Sequence, residues 1–106
     1  MIMEKRILGL AREFKELLKQ RHLEAELIIF GSRARGDNQP DSDLDLCVIV
    51  KRLDRKTRDV VIDCAWEIGF KAGIVVVPII FSRSEIKGAL ARSPIIMSVE
   101  REGVRL

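Results

Sequence analysis

The sequence is poor in the residues that build covalent or metal frameworks. It has two cysteines, Cys47 and Cys64, and one histidine, His22. A small secreted domain held by disulfides needs more cysteine than this. Each cysteine lies in an apolar stretch, so both are expected as reduced core residues. A Cys/His zinc set cannot be assembled around one histidine. No apolar run approaches the roughly 20 residues of a membrane span, and no secretory h-region opens the chain. The expected compartment is therefore the cytoplasm, with no membrane contact. Internal repeats and low-complexity segments are absent as well.

What is present fits one small domain, residues 1–106. Apolar residues make up 47 % of the chain, enough for one hydrophobic core. A domain this small buries a modest share of its surface, so association with a partner, or with itself, would stabilise it. Basic residues number 19 against 16 acidic ones, for a net charge of +3. That balance permits a phosphate-bearing ligand without indicating nucleic acid. No RRM, KH or helix-turn-helix signature supports a nucleic-acid-binding module, and no template-reading domain fits in this length.

Residues 4–21 read as a helix, with Ile7, Leu10, Ala11, Phe14, Leu17 and Leu18 at helical spacing. Glu26 to Phe30 reads as a short buried strand. Residues 31–42 carry loop chemistry, and Asp43 to Val50 reads as a second strand. A helix is predicted from Arg55 to Lys71, with Asp54 as N-cap and Gly73 as its left-handed terminator. Its buried stripe is Val60, Val61, Cys64, Ala65 and Ile68. Ile74 to Phe81 reads as a third strand, in which Pro78 demands an edge position or a bulge. A short helix follows over Ser84 to Ala91. Ser93-Pro94 then opens a last helix that closes near Gly103. The order α-β-β-α-β-α-α gives an α/β (α+β) fold, a small mixed sheet flanked by helices.

The stretch from Gly31 to Leu46, GSRARGDNQPDSDLDL, carries the chemistry. Gly31 lets the backbone turn as the first strand ends and lets a ligand approach. Ser32 adds a hydroxyl and an amide, so the pair makes a short donor cradle for phosphate oxygens. Arg33 and Arg35 follow with forked donors suited to phosphate. Asp43 and Asp45, two apart on a strand, share one face. Carboxylates this close repel unless a cation lies between them, and Mg²⁺ commonly joins one or two carboxylates to substrate phosphates. Leu44, Leu46 and Val48 point the other way, into the core. A lone Gly-Ser is usually a turn and a lone Asp-x-Asp is usually solvated. Their succession, strand, cradle, basic loop, acid pair, is the stronger signal.

These residues resemble the signature of the polymerase-beta-like nucleotidyltransferase superfamily: Gly31-Ser32, then Ala34-Arg35-Gly36, then Ser42-Asp43-Leu44-Asp45-Leu46. The chain's size is similar to that of the minimal nucleotidyltransferase branch. The resemblance implies a nucleotidyltransferase that moves a nucleoside monophosphate, AMP from ATP, to a hydroxyl with Mg²⁺ or Mn²⁺. It implies that Gly31, Ser32, Arg35 and Ser42 hold the nucleotide and that Asp43 and Asp45 are the catalytic metal ligands. It also implies a partner, since members act beside a small helical HEPN-type protein as a toxin–antitoxin pair.

One departure stands out. The superfamily's third carboxylate belongs on a later strand, and Ile74 to Phe81 contains no acid. The alternative reading is thus a catalytically weak or inactive nucleotide-binding module that neutralises a partner by binding it. Asp63, Glu67 and Glu85 lie within reach along the chain, but exposed helix charge is the default for all three. Trp66 and Phe70, four apart on the second long helix, are expected in the core, with a partner-contact patch as the alternative.

Overall fold

The computed structural model describes residues 4–36, 39 and 42–106. Asp37, Asn38, Pro40 and Asp41 of the predicted loop lie outside the described residues. The chain runs α1 (Lys5–Gln20), β1 (Ala25–Phe30), α2 (Ser32–Arg35), β2 (Leu44–Val50), α3 (Arg55–Ala72), β3 (Val76–Ser82), α4 (Arg83–Lys87), α5 (Pro94–Glu102) and β4 (Val104–Arg105). The fold is the expected mixed sheet flanked by helices. Two short elements were not anticipated, the four-residue α2 and the two-residue β4.

The sheet order is β3-β2-β1-β4. β1 runs antiparallel to β2 and to β4. β2 runs parallel to β3, as a strand–helix–strand crossover through α3 requires. Because side chains alternate along a strand, β1 and β2 each feed two cores. Leu27, Ile29, Leu44, Leu46, Val48 and Val50 face α1 and α3. Ile28, Phe30, Cys47 and Ile49 face Ile96 and Val99 of α5. The two cysteines therefore serve different cores. Both are free and buried, and burial pushes the Cys47 thiol up to about 11, which keeps it protonated.

The caps explain where the helices stop and start. The Asp54 carboxylate accepts from the Thr57 amide at 2.8 Å, and Gly73 closes α3 at φ 73°. Ser82 and Glu85 form a reciprocal capping box at α4, and Ser93 caps α5 ahead of Pro94. β3 is an edge strand. The Leu44 amide donates to the Val75 carbonyl at 2.9 Å, so by alternation Val77 and Ile79 turn their backbone groups toward β2. Pro78 then turns toward the free edge, where its missing N–H breaks no ladder bond.

No helix among the described residues is long and apolar enough to cross a membrane. The largest fully buried side chain is Phe14, on the α1 face of the first core. Phe14→Ala should cost about 3–5 kcal/mol, a large part of the stability of so small a fold. Ile95→Ala, on the exposed side of α5, should change it by less than about 0.5 kcal/mol. Urea unfolding of both variants measures the contrast.

Candidate functional site

β1 ends on Phe30 and the chain turns at Gly31, with φ 78° and ψ −157°. Only glycine takes that backbone conformation without strain. A Cβ at Gly31 would also collide with Oδ2 of Asp45. Glycine is needed twice here, for the turn and for the close approach of main chain to carboxylate. Ser32 then opens α2. The amides of Ala34 and Arg35 donate to the Gly31 carbonyl, each at 3.1 Å, and Gly36 ends the turn in the left-handed region.

Asp45 lies in β2, beside Phe30 of β1 and Val77 of β3. The strand begins at Leu44, so Asp43 stands just before it rather than within it. The Leu44 bond to Val75 fixes this approach, and Asp43 lies near enough for its charge to act on Asp45. The Asp45 carboxyl is held above the usual range, first by burial and second by the Asp43 charge, while Arg35 pulls it down. Two acids this close, one of them half-buried, favour a bound cation. Mg²⁺ takes hard oxygen ligands and commonly uses one or two carboxylates together with phosphate, so the pair suits that ion. Among the described residues no cluster of three or more His, Cys, Asp or Glu side chains could hold a metal.

The two arginines differ in a way the sequence reading missed. Arg33 is 3 % exposed. Its Nη2 donates to the Ser42 carbonyl at 2.9 Å, and its Nη1 lies 3.6 Å from Glu4. It fastens the loop before β2 from inside the fold rather than presenting a charge to a phosphate. Arg35 is exposed and pairs with Glu102 of α5 at 3.1 Å, close enough to Asp45 to influence its ionisation. The Ser42 hydroxyl accepts from the Gln39 amide at 2.8 Å, so it helps to close the loop. Gly31, Asp43, Asp45 and Arg35 are thus brought together, with Ser42 at the loop's far end. Asp63 faces Arg21 at 3.9 Å, and Glu85 is occupied in its capping box, so neither joins the acid pair.

Removing Arg33 leaves the part-buried Ser42 carbonyl without that donor. Arg33→Ala should cost about 1–3 kcal/mol, whereas Arg35→Ala breaks a solvent-facing pair and should cost under about 1 kcal/mol. Thermal melts of the two variants separate the internal role from the external one.

The raised carboxyl of Asp45 has a definite sign in stability. Its contribution to folding is fully present below the ordinary value of 3.8 and is lost as pH rises through the raised folded value. In metal-free buffer at neutral pH, Asp45→Asn should therefore melt above the unmodified chain. The gap should close in acid and narrow on addition of Mg²⁺. Melting curves across pH, with and without the ion, check all three points.

Comparison with known proteins gives the family. The model of a nucleotidyltransferase domain matches residues 11–106. The "Putative protein adenylyltransferase MJ0141" of Methanocaldococcus jannaschii is 31 % identical over 105 residues, covering 94 % of this chain and 98 % of the relative. Two solved structures share the fold. One is a toxin–antitoxin with AMP-PNP, at TM-score 0.59 and 19 % identity, covering 90 % of this chain and 70 % of that one. The other is "a putative nucleotidyltransferase from Sulfolobus solfataricus", at TM-score 0.53 and 24 % identity, covering 94 % and 78 %. With the strand, the glycine turn and the acid pair in the order that the motif requires, the chain belongs to the nucleotidyltransferase domain family.

Proposed function

We propose that this chain transfers AMP from ATP to a hydroxyl of a partner protein in a Mg²⁺-dependent reaction, the hydroxyl oxygen bonding to the α-phosphorus as it loses its proton and pyrophosphate leaves. The observation that carries this reading is the seating of the Gly31 backbone directly against the Asp45 carboxylate. A turn suited to phosphate and an acid suited to a cation occupy one spot. Asp43 and Asp45 would hold the ion, with Mn²⁺ as a substitute. When bound, the ion neutralises charge on the transferring phosphoryl group. Gly31 and Ser32 orient the triphosphate through backbone and hydroxyl donors. Arg35, on leaving Glu102, adds a forked cation, and Ser42 completes the nucleotide-binding set.

A protein acceptor is supported by the relative named as a protein adenylyltransferase and by the toxin–antitoxin neighbour. We take the partner to be a small helical HEPN-type toxin. One observation favours a second reading. Val77 stands in register beside Asp45, where an acid would complete a three-carboxylate site. On that reading the chain binds nucleotide but transfers slowly or not at all, and neutralises its partner by binding.

Titration calorimetry should show ATP binding with Mg²⁺ and none in EDTA, and Asp43→Asn or Asp45→Asn should abolish it. Equal binding in EDTA would overturn the metal assignment. Transfer from α-labelled ATP to a simple hydroxyl should be slow, because the acceptor lacks a general base. Register selects the repair: Val77→Asp should raise the rate by about 10²-fold or more. Val76→Asp, which points into the first core, should destabilise the fold instead. Fast transfer by the unmodified chain would show that the third acid is not needed.

A further inference from the structure

Trp66 and Phe70 were expected in the core, yet they are 73 % and 86 % exposed. Val75 and Ile62 join them at the surface. An aromatic side chain covers 150–250 Å² when buried, so the two rings present roughly 300 Å² of bare apolar area. That alone reaches the scale of the largest apolar patch on a typical monomer. Ile62, Trp66 and Phe70 are spaced i, i+4, i+8, and so form one ridge along α3. Next to the ridge lies a hollow of about 580 Å³ between α3 and the entry to β3. Gly73, where a side chain would meet only open space, leaves it open. A Cβ on Gly69 would meet the Ile74 carbonyl at 2.6 Å, so α3 lies close against the chain there.

We propose that this corner is a self-association surface, on which a second copy of the chain docks through its own α3. A two-fold interface uses the same patch on both partners and so needs projection and recess on one surface. Here the ridge supplies the projection and the glycine-lined hollow supplies the recess. Ridges of the i, i+4 kind interdigitate with their own kind in the commonest mode of helix packing. Stable interfaces bury about 800 Å² per partner. A lone helix laid along the ridge would leave the hollow uncovered, whereas a second copy covers ridge and hollow together. Charge fits as well. An antiparallel pairing centred on Gly69 sets Glu67 of one copy opposite Lys71 of the other; Lys71 now lies 3.2 Å from Glu13, both of them exposed. Sheet extension through β3 is disfavoured, because Pro78 removes a donor from the middle of its free edge. The inference does not depend on the transferase reading.

The chain carries its own reporter, since Trp66 is its only tryptophan. Sedimentation equilibrium on the full chain should show the mass doubling with concentration, and Trp66 emission should shift to the blue over the same range. Phe70→Glu and Ile62→Glu, at exposed positions, should each weaken association by about 30-fold or more if these residues are interface anchors. Circular dichroism should confirm the fold of both. A chain that stays monomeric at high concentration, with emission typical of exposed tryptophan, would overturn the proposal. So would a dimer that survives both substitutions unchanged. Burial of Trp66 only on adding a helical partner protein would assign the surface to that partner and equally reject self-association.

Discussion

Asp45 sits on β2 with the Gly31 backbone against its carboxylate and leucines on either side of it turned into the core. The rest of the structure is arranged around holding that acid in place. β2 is flanked by β1 and β3, so its backbone is paired on both edges. Leu44 and Leu46 are fully buried against α1 and α3. Burying two leucines contributes several kcal/mol, at about 1.5–3 kcal/mol each. This outweighs the cost of a half-buried, partly repelled carboxylate on the opposite face. The alternation of the strand is therefore what reconciles stability with charge. A register slip of one residue would carry Asp45 to the face that packs on α1 and α3, where a carboxylate has no solvent.

The motif could be read from the sequence because its geometry is local. A strand, a glycine turn and two acids spaced by the strand period need no distant partner to be recognised. Gly73 and the caps at Asp54 and Ser93 were legible for the same reason. Arg33 was not, because its burial is created by residues far from it in the chain, Glu4 and the Ser42 carbonyl. The sequence shows two similar arginines, and only the packing distinguishes them. α2 and β4 were missed because four and two residues are too few to display a period.

The exposure of Trp66 had a signal that went unused. The buried stripe of α3 is Val61, Cys64, Ala65 and Ile68. At about 100° per residue, Ile62, Trp66 and Phe70 fall on a different face. The helical wheel, rather than the general tendency of aromatics to be buried, decides where these two rings lie. The helix is amphipathic with two apolar faces, one used by the fold and one left outside it.

The valine at position 77 bears on both the electrostatics and the chemistry. In parallel register its side chain shares the face of Asp45 and adds apolar surface to the burial that raises that carboxyl. A third acid at this place would add a like charge to a pair that already repels. It would strengthen the hold on a cation and make the empty site less stable. On the proposed reading, valine at this place would leave the ion's coordination to be completed by substrate phosphates, which would couple ion binding to nucleotide binding. Val75, two residues earlier, joins this site to the apolar corner: its carbonyl holds Leu44 at the start of β2, while its side chain is exposed beside the hollow. The entry to β3 thus bounds both surfaces, so a protein docked on the corner would lie next to the strand end that carries the acids.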